Sequence, residues 1–384
     1  MKKSTKIVHA GRSKKLFSGT VNPPVIHAST IIAENYKEYV NIEKRSPPLM
    51  KYGRVGTTTS FAFEEAFKEL EEGFKSFVFP SGLSAISTAI LSLTENDSHI
   101  LVSDSVYYPT RKFCNNLLIK MGIEVEYFDP LIGRNIEKLF KKNTHCIYLE
   151  SPGSLTFEMQ DIKEIASLAQ KYNIKTILDN TWATPIYYKP LLDGIDLSIH
   201  SATKYIAGHS DAMLGVVTTN RNSYKKLDET IQSLGIHTGP DDIYLGLRGL
   251  RTLDVRMRQH QSSALYVAKW LQKQKQVSKV LYPALPEDPG YLIWKRDFSG
   301  ASGLFGFVLN SDEAFNIEKM LDSLNLFSMG ASWGGFESLC IPTWPYLNRT
   351  TNAKEIKGQS FRLSIGLEDP EDLIADLKKG FENL

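Results

Sequence analysis

Cysteine is scarce in this chain of 384 residues, which contains only Cys114, Cys146 and Cys340. Their wide spacing excludes a CxxC zinc or redox motif. Few, unpaired thiols are typical of a reducing compartment, so we expect a cytoplasmic protein.

Long apolar runs and a strong net charge are also missing. No run approaches the ~20 apolar residues of a membrane span, and the polar start at residues 1–6 lacks the apolar core of a signal peptide. The formal net charge is +2, and no basic stripe with interleaved aromatics occurs, so we expect no nucleic-acid partner. These absences predict a soluble intracellular protein.

Two common phosphate-binding motifs are absent, since the chain has neither G-x-G-x-x-G nor a Gly-Lys dipeptide. This excludes the Rossmann fingerprint and the P-loop. Strand-like and helix-like patterns nevertheless alternate, with strands predicted at 77–79, 100–102, 125–128 and 146–149 and helices at 86–93 and 162–172. Such alternation predicts an α/β fold with a mostly parallel sheet, helices on both faces and ligands at the strand ends.

Chain length and pattern changes predict three units. Residues 1–55 show little periodicity and are broken by prolines at 23–24 and 47–48, so we expect an extended arm. Residues 56–250 would form the main domain. Residues 251–384 would form a smaller C-terminal domain, reached through one long helical region at 242–274 and containing a further helix at 313–324.

A turn with two hydroxyl residues and a lysine, Ser201 to Lys204, follows a predicted buried strand at residues 197–199. Burial lowers the pKa of a lysine, and a neutral amine can form a Schiff base with a carbonyl. Ser201 and Thr203 could donate to a phosphate beside Lys204, and Asp179 ends a neighbouring apolar run. Together these residues are typical of a pyridoxal-phosphate site. A surface lysine in a hydroxyl-rich turn remains the alternative.

Two turns carry weaker signals for an anion. Ser81-Gly82-Leu83 lies between a strand and a helix, where backbone N–H groups and the helix dipole favour an anion. The alternative is an ordinary capped helix. Tyr52-Gly53-Arg54 suits a phosphate through its guanidinium group, but exposed turns of this kind also serve solubility alone.

Several basic residues need partners. Arg362 lies on an alternating strand and needs an anion, which either Glu368 and Asp369 or a substrate carboxylate could supply. For the cluster Arg248, Arg251, Arg256 and Arg258 we expect interface or surface ion pairs. The eight histidines show no ligand spacing, so we expect no metal.

Ordered motifs along almost the whole chain resemble the pyridoxal-phosphate enzymes of cysteine and methionine metabolism. They are His9-Ala10-Gly11-Arg12, Tyr52 with Arg54, Ser81-Gly82-Leu83, Glu150-Ser151-Pro152-Gly153-Ser154, Asp179-Asn180-Thr181-Trp182, Ser201 to Lys204, Gly208 to Met213, Arg248 to Leu253, Ser332-Trp333-Gly334-Gly335 and Arg362 to Asp369. The resemblance implies the fold-type-I architecture, pyridoxal 5′-phosphate as cofactor and a homotetramer built as a dimer of dimers.

The resemblance also implies a role for each site residue. Lys204 would be the Schiff-base lysine, Asp179 the partner of the pyridinium nitrogen and Tyr107 the aromatic side chain stacked on the cofactor ring. The phosphate would be held by Gly82, Leu83, Ser201 and Thr203, together with Tyr52 and Arg54 from the neighbouring subunit. The substrate carboxylate would be held by Arg362, Ser332 and Trp333.

Two positions depart from the family pattern. Lys112 stands where an acidic residue often occurs in β-eliminating members, and Val55 stands where they often have a second arginine. Both positions concern the distal end of the substrate, so the preferred amino acid is less constrained than the chemistry.

The implied reaction is α,β-elimination by a carbon–sulfur lyase acting on a small amino acid such as L-cystathionine. Lys204 would remove the Cα proton, and the products would be homocysteine, pyruvate and ammonia. The alternatives are a family member acting at Cγ, racemisation of alanine or cysteine desulfhydration as a side activity, and a non-catalytic pyridoxal-phosphate-binding protein.

Overall fold

A seven-stranded sheet forms the centre of the larger part of the protein. The computed structural model describes residues 1–13, 17–42, 50–310, 315–344, 347–351, 356 and 358–384. The strands are β1 Lys75–Phe79, β2 His99–Ser103, β3 Glu124–Phe128, β4 Thr144–Glu150, β5 Lys175–Asp179, β6 Leu197–His200 and β7 Gly215–Thr219. They lie in the order β1-β7-β6-β5-β4-β2-β3, and β7 is antiparallel to both of its neighbours. The other neighbouring pairs are parallel, which confirms the predicted mostly parallel sheet.

A second sheet lies in the C-terminal part. Its strands are β8 Val277–Leu281, β9 Leu304–Leu309, β10 Leu339–Pro342 and β11 Ser360–Ser364, in the order β10-β11-β9-β8 with antiparallel pairing throughout. The fold is therefore an α/β unit with a smaller α+β unit, as the sequence predicts.

The α-helices surround these sheets. They are α1 Lys3–His9, α2 Tyr36–Asn41, α3 Thr58–Glu71, α4 Gly82–Leu93, α5 Tyr108–Phe113, α6 Ile162–Lys171, α7 Thr184–Tyr187, α8 Tyr224–Leu234, α9 Pro240–Leu250, α10 Leu253–Leu271, α11 Tyr291–Asp297, α12 Ile317–Asp322 and α13 Pro370–Phe381. Residues 47–48 and 313–314, which also figure in the sequence predictions, lie outside the described part of the chain.

Alternate residues of the central strands pack into two separate hydrophobic cores, one on each face of the sheet. In β2, Ile100 and Val102 pack in one core with Ile86 of α4 and Leu227 of α8. Leu101 points the other way, into a core shared with α3, α6 and the smaller sheet. Since successive side chains of a strand point to opposite faces, these two cores confirm helices on both faces of the large sheet.

The long helical region predicted at 242–274 is helical but interrupted. Two helices, α9 and α10, occur there, and the break falls at Arg251 and Thr252. Neither residue is a helix breaker in sequence. At the break, the N–H groups of Arg251 and Thr252 donate to the carbonyls of Arg248 and Gly249, three residues earlier, at 3.2 and 3.1 Å.

The prediction of surface or interface ion pairs is wrong for two of the four arginines. Arg256 is buried, and its guanidinium group donates to the carbonyls of Tyr205, Ile206 and Gly249 at 2.6, 3.2 and 2.8 Å. Arg251 donates to the carbonyls of Ile7 and Ala10. Arg258 does pair with Asp254, at 3.3 Å. The buried arginines satisfy backbone oxygens between elements.

The N-terminal arm is not extended throughout. Helix α1 packs on its own chain, with Ile7 and Ala10 buried in the main core. Further along, Ile32, Tyr36 and Tyr39 are exposed large apolar side chains. No helix within the described ranges is both long and apolar enough to cross a membrane.

Candidate active site

The ends of four neighbouring strands and part of the smaller sheet enclose one cavity of about 440 Å³. It follows β2, β4, β5 and β6 at their carboxyl ends, where ligands bind in open α/β sheets. The cavity contains every predicted site residue except Tyr52 and Arg54, namely Gly82, Leu83, Tyr107, Asp179, Ser201, Thr203, Lys204, Ser332, Trp333 and Arg362.

Lys204 lies in the turn after β6, and its amine points into the cavity. Its Nζ donates to Ser332 Oγ at 2.5 Å and lies 5.5 Å from the centre of the Trp333 ring. Burial, together with the positive charge of Arg362, lowers the pKa of Lys204 to about 8. Arg256 holds the backbone immediately after it. The surface-lysine alternative is therefore excluded.

Two carboxylates lie side by side at the floor of the cavity. Asp179 ends β5 and pairs in register with Glu150, which ends β4. Asp179 accepts hydrogen bonds from the N–H and the hydroxyl of Thr181. Burial raises the pKa of Asp179, and burial together with the Asp179 charge raises the pKa of Glu150. Ionisation of both carboxylates at once is therefore disfavoured.

Glu150 is a cavity residue to which the sequence analysis assigns no role. Its carboxylate accepts from the backbone N–H of Tyr107 at 2.8 Å and from the hydroxyl of Ser154 at 2.5 Å. These contacts fix the turn that carries Tyr107, whose half-exposed ring lines the cavity. The signal was available, because Glu150 ends an apolar strand run just as Asp179 does.

The start of α4 forms the candidate anion site. Ser81 caps the helix by accepting from Ser84 N–H at 3.1 Å, so the capped-helix alternative is also true. The first amides of a helix have no carbonyl partner within it, and those of Gly82 and Leu83 belong to this cavity. A Cβ on Gly82 would lie 2.6 Å from Ser201 Oγ, so glycine keeps the helix end and that hydroxyl together.

Ser201 and Thr203 differ in how their hydroxyls are used. Thr203 Oγ1 donates to the carbonyl of Leu214 at 3.1 Å and accepts from its N–H at 2.9 Å. Among the described residues, no protein group is recorded as a partner of the Ser201 hydroxyl. Ser201 is therefore the better placed of the two to donate to an anion.

Arg362 supplies a positive charge opposite the carboxylates. Its Nη2 donates to the carbonyl of Ser332 at 2.8 Å, and burial lowers its pKa to about 10. Glu368 instead accepts from Ser338, and Asp369 caps α13. No carboxylate of the described residues forms an ion pair with Arg362. Of the two partners that the sequence left open, acidic residues of the chain or a substrate carboxylate, the second therefore remains.

The backbone at Ser332 is held in a left-handed conformation, with φ of 83°. Such a conformation is costly for a non-glycine residue, so the surrounding contacts must hold it in place. Here it presents the Ser332 hydroxyl to Lys204 and its carbonyl to Arg362.

Tyr52 and Arg54 do not reach the Lys204 cavity of their own chain. Arg54 and Val55 line a second cavity of about 470 Å³, where Arg54 Nη1 lies 3.4 Å from Gln232 Oε1. Lys112, on α5, is exposed and does not line the Lys204 cavity of its own chain either.

The donor set of the cavity fits pyridoxal phosphate. An amine of lowered pKa suits an aldehyde, a buried carboxylate suits a pyridinium nitrogen, and a helix start beside Ser201 suits a phosphate. Arg362 remains for a second anion, such as an amino-acid carboxylate.

Comparison with protein families gives a match over nearly the whole chain. Residues 4–382 match the family described as Cys/Met metabolism PLP-dependent enzyme.

Comparisons with individual proteins agree with this match. The chain is 42% identical to cystathionine beta-lyase MetC of Escherichia coli, covering 100% of this chain and 99% of that protein. It is 40% identical to an L-alanine/L-glutamate racemase of Wolbachia pipientis, covering 100% and 98%. Among solved structures, cystathionine gamma-lyase from Lactobacillus plantarum, complexed with L-serine, matches with a TM-score of 0.90 and 30% identity, covering 100% and 99%.

Proposed function

The chain belongs to the Cys/Met metabolism PLP-dependent enzymes, and from this membership we propose that it is a cystathionine β-lyase. It would cleave L-cystathionine by α,β-elimination into homocysteine, pyruvate and ammonia, a step of methionine biosynthesis. The observation that carries the proposal is the Lys204 amine, with a pKa of about 8, in one cavity with Asp179 and Arg362. The β-lyase relatives support the choice of substrate.

The residues of the cavity divide into those that would hold the cofactor and those that would hold the substrate. Asp179 would pair with the ring nitrogen, Tyr107 would stack on the ring, and Gly82, Leu83, Ser201 and Thr203 would hold the phosphate. Arg362 would bind the α-carboxylate, with Ser332 and Trp333 beside it. The bound cofactor would supply the sink for the electrons that remain on Cα after deprotonation.

Lys204 would move the proton. Because its pKa is lowered, a large part of its amine is neutral near pH 8 and can accept the Cα proton. Arg362 would fix the substrate by its carboxylate, which leaves the Cα–H bond within reach of Lys204. The bond between Cβ and sulfur then breaks, the thiol of homocysteine departs, and hydrolysis of the three-carbon remainder yields pyruvate and ammonia.

We further propose that the enzyme is a cytoplasmic homotetramer, built as a dimer of dimers, in which each site is shared. Tyr52 and Arg54 would complete the cavity of the neighbouring subunit. Support comes from their position outside their own cavity and from exposed apolar side chains at Ile32, Tyr36 and Tyr39. The unpaired cysteines suit the reducing cytoplasm.

Racemisation of an amino acid is the second candidate activity, and the racemase relative favours it. A substrate without a leaving group on Cβ can be reprotonated at Cα, and Lys204 and Tyr107 both border the cavity. Chiral analysis of L-alanine after incubation with the loaded enzyme separates this activity from elimination.

A lysine variant tests the proposed chemistry. We expect the cofactor-loaded protein to release thiol from L-cystathionine. In Lys204→Ala the rate of thiol release should fall by roughly 10²- to 10⁴-fold or more, because one amine both holds the cofactor and moves the proton. Lys269→Ala, at an exposed lysine of α10 outside the cavity, is the matched control. Thiol release by Lys204→Ala at the control rate would refute the proposal.

A further inference from the structure

A short C-terminal segment, Arg349–Thr351, reaches two loops that border the Lys204 cavity, and we call it the strap. Thr350 and Thr351 contact Asp104, while Arg349 contacts Thr156 and Glu158. These contacts join residues about 190 to 250 positions apart in the chain, so they connect the two halves of the protein.

Asp104 is the anchor for the two threonines. It follows β2 directly, three residues before Tyr107, and it is buried. Its carboxylate accepts from the backbone N–H groups of Thr350 and Thr351 at 3.0 Å and from their hydroxyls at 2.9 and 2.8 Å. Arg111 of α5 also donates to it, at 2.5 Å.

The pKa of Asp104 agrees with this arrangement. Burial alone would raise it, but the hydrogen bonds from Thr351, Arg111 and Thr350 outweigh burial and hold the pKa below its usual value. A buried carboxylate is costly unless it keeps such donors. The strap is therefore part of what keeps the turn at 104–107 in place.

Arg349 is the anchor for the second loop. Its Nη2 donates to Glu158 Oε1 at 2.9 Å and to the hydroxyl of Thr156, and both charged side chains are only about one-fifth exposed. An ion pair shielded to this degree is less weakened by water and salt than a surface pair.

The two anchored loops form one wall of the cavity. Tyr107 lines it from the first loop, and Gly153 to Leu155 with Phe157 line it from the second. The loops are also tied to each other, since Ser154 N–H donates to the carbonyl of Ser105 at 2.8 Å. Lys204 and Arg362 lie on other elements, and the hydrogen bonds of the strap within the described ranges go to the two loops instead.

We propose that the strap positions this wall, so that Thr350, Thr351 and Arg349 are positioning residues for the substrate side chain. This role in substrate binding rests on the proposed function. Loosening the wall should weaken the fit of the bound amino acid more than the proton transfer at Lys204, so its effect should fall on KM before kcat.

The test uses the cofactor-loaded, full-length protein with both threonine hydroxyls removed. In Thr350→Val/Thr351→Val we expect amide hydrogen exchange at 104–113 and 153–158 to become about ten-fold faster, because hydrogen bonds to a charged group are among the stronger ones. Exchange in α8 should not change. We expect KM for L-cystathionine to rise about ten-fold with kcat changed less than about three-fold.

Three further variants separate positioning from general damage. Thr350→Ser/Thr351→Ser keeps both hydroxyls and should restore exchange and KM. Arg349→Met removes the contacts with Thr156 and Glu158 but leaves Asp104 its threonine donors, so it should act mainly on 153–158. Thr230→Val, at an exposed threonine of α8 that donates to the carbonyl of Lys226, is the matched control.

Two results would overturn the strap proposal. One is unchanged exchange at both loops in the valine variant, and the other is faster exchange with KM unchanged. Failure of the proposed function is a different result: the wild-type enzyme would then release no thiol from L-cystathionine. Exchange in the same variants would then decide alone whether the strap holds the two loops.

Discussion

Burial and neighbouring charges shift the pKa values of the ionisable residues in the active-site cavity. Lys204 lies close enough to Arg362 for that positive charge to favour the neutral amine, in addition to the effect of burial. Asp179 and Glu150 lie in register on neighbouring strands and cannot both be ionised without cost. The site therefore holds a reactive amine and two carboxylates with raised pKa values within one cavity.

The pKa of Lys204 can be measured directly in the cofactor-free protein. Its amine becomes neutral as the pH rises through about 8, whereas an ordinary lysine does so near about 10.4. We expect a small acylating reagent to modify Lys204 with a pH midpoint near 8, well before the other lysines, as read by mass spectrometry.

A second variant controls this measurement. Arg362→Gln removes a nearby positive charge, so the midpoint for Lys204 should move upward. A midpoint of Lys204 that coincides with the surface lysines would show that its amine is not desolvated.

The sequence predicts Asp179 because it ends an apolar strand run with a charge, and Lys204 because it lies in the hydroxyl-rich turn after another such run. Glu150 has the same signal, but it stands within a motif that the sequence analysis used only for resemblance. The partner of Arg362 is left open by sequence, because Glu368 and Asp369 are near in the chain. Only coordinates show that both of these acidic residues have other hydrogen-bond partners.

At the scale of elements, the beginning of α4 depends on one close approach. Gly82 lies against Ser201, which follows β6, and a Cβ there would lie 2.6 Å from Oγ and 2.7 Å from Cβ of Ser201. A rotamer change could move the oxygen but not the Cβ atom. Packing at this point therefore requires glycine.

Gly82→Ala tests this contact. Alanine is favoured in helices by about 1 kcal/mol, but forcing an extra carbon into a packed site costs about 1–3 kcal/mol. We expect the clash to prevail, so the free energy of unfolding should fall and the dissociation constant of pyridoxal phosphate should rise. Denaturant titration and cofactor absorbance measure the two effects.

Gly239→Ala is the control, since a Cβ there meets nothing within 4 Å and its φ of −61° suits any residue. If Gly82→Ala were as stable as this control and bound the cofactor as tightly, the close approach would have no role.

Local patterns predict most elements but fail where tertiary contacts decide. The sheet strands β1 to β6 coincide with apolar runs, and α6 with its amphipathic period. The break between α9 and α10 has no sequence signal, since neither Arg251 nor Thr252 is a helix breaker; nearby, Gly249 packs against the carbonyls of Ile206 and Ala207. Strand β7 has only two strongly apolar residues, Val216 and Val217, and the sequence analysis makes no prediction for it.

At the scale of the whole molecule, Tyr52 and Arg54 are predicted site residues that do not reach the active-site cavity of their own chain. The sequence assigns them to the site only through family resemblance, and they lie outside the cavity of their own chain. A shared site explains both facts, and it can be tested with inactive subunits.

Mixed subunits should restore part of the activity. Arg54→Ala and Lys204→Ala should each be inactive alone. After random reassociation half of the dimers are mixed, and one of their two sites carries both native residues, so about a quarter of all sites should be active. The specific activity of verified hybrids checks this.

A second mixture is the control for the first. Lys204→Ala with Arg362→Ala should recover nothing, because those two residues line the same chain's cavity. Equal recovery from both mixtures, or none from either, would contradict a site shared through Arg54.

The central claim is that this enzyme breaks the bond at Cβ of its substrate. Elimination at Cγ needs a second proton abstraction, from Cβ, and therefore room for Lys204 to move. The Trp333 ring, whose centre lies 5.5 Å from Lys204 Nζ, narrows that space. The most direct measurement is the identity of the keto acid formed from L-cystathionine by the cofactor-loaded protein. The account predicts pyruvate with at most a minor amount of 2-oxobutyrate, and 2-oxobutyrate as the main product would contradict it.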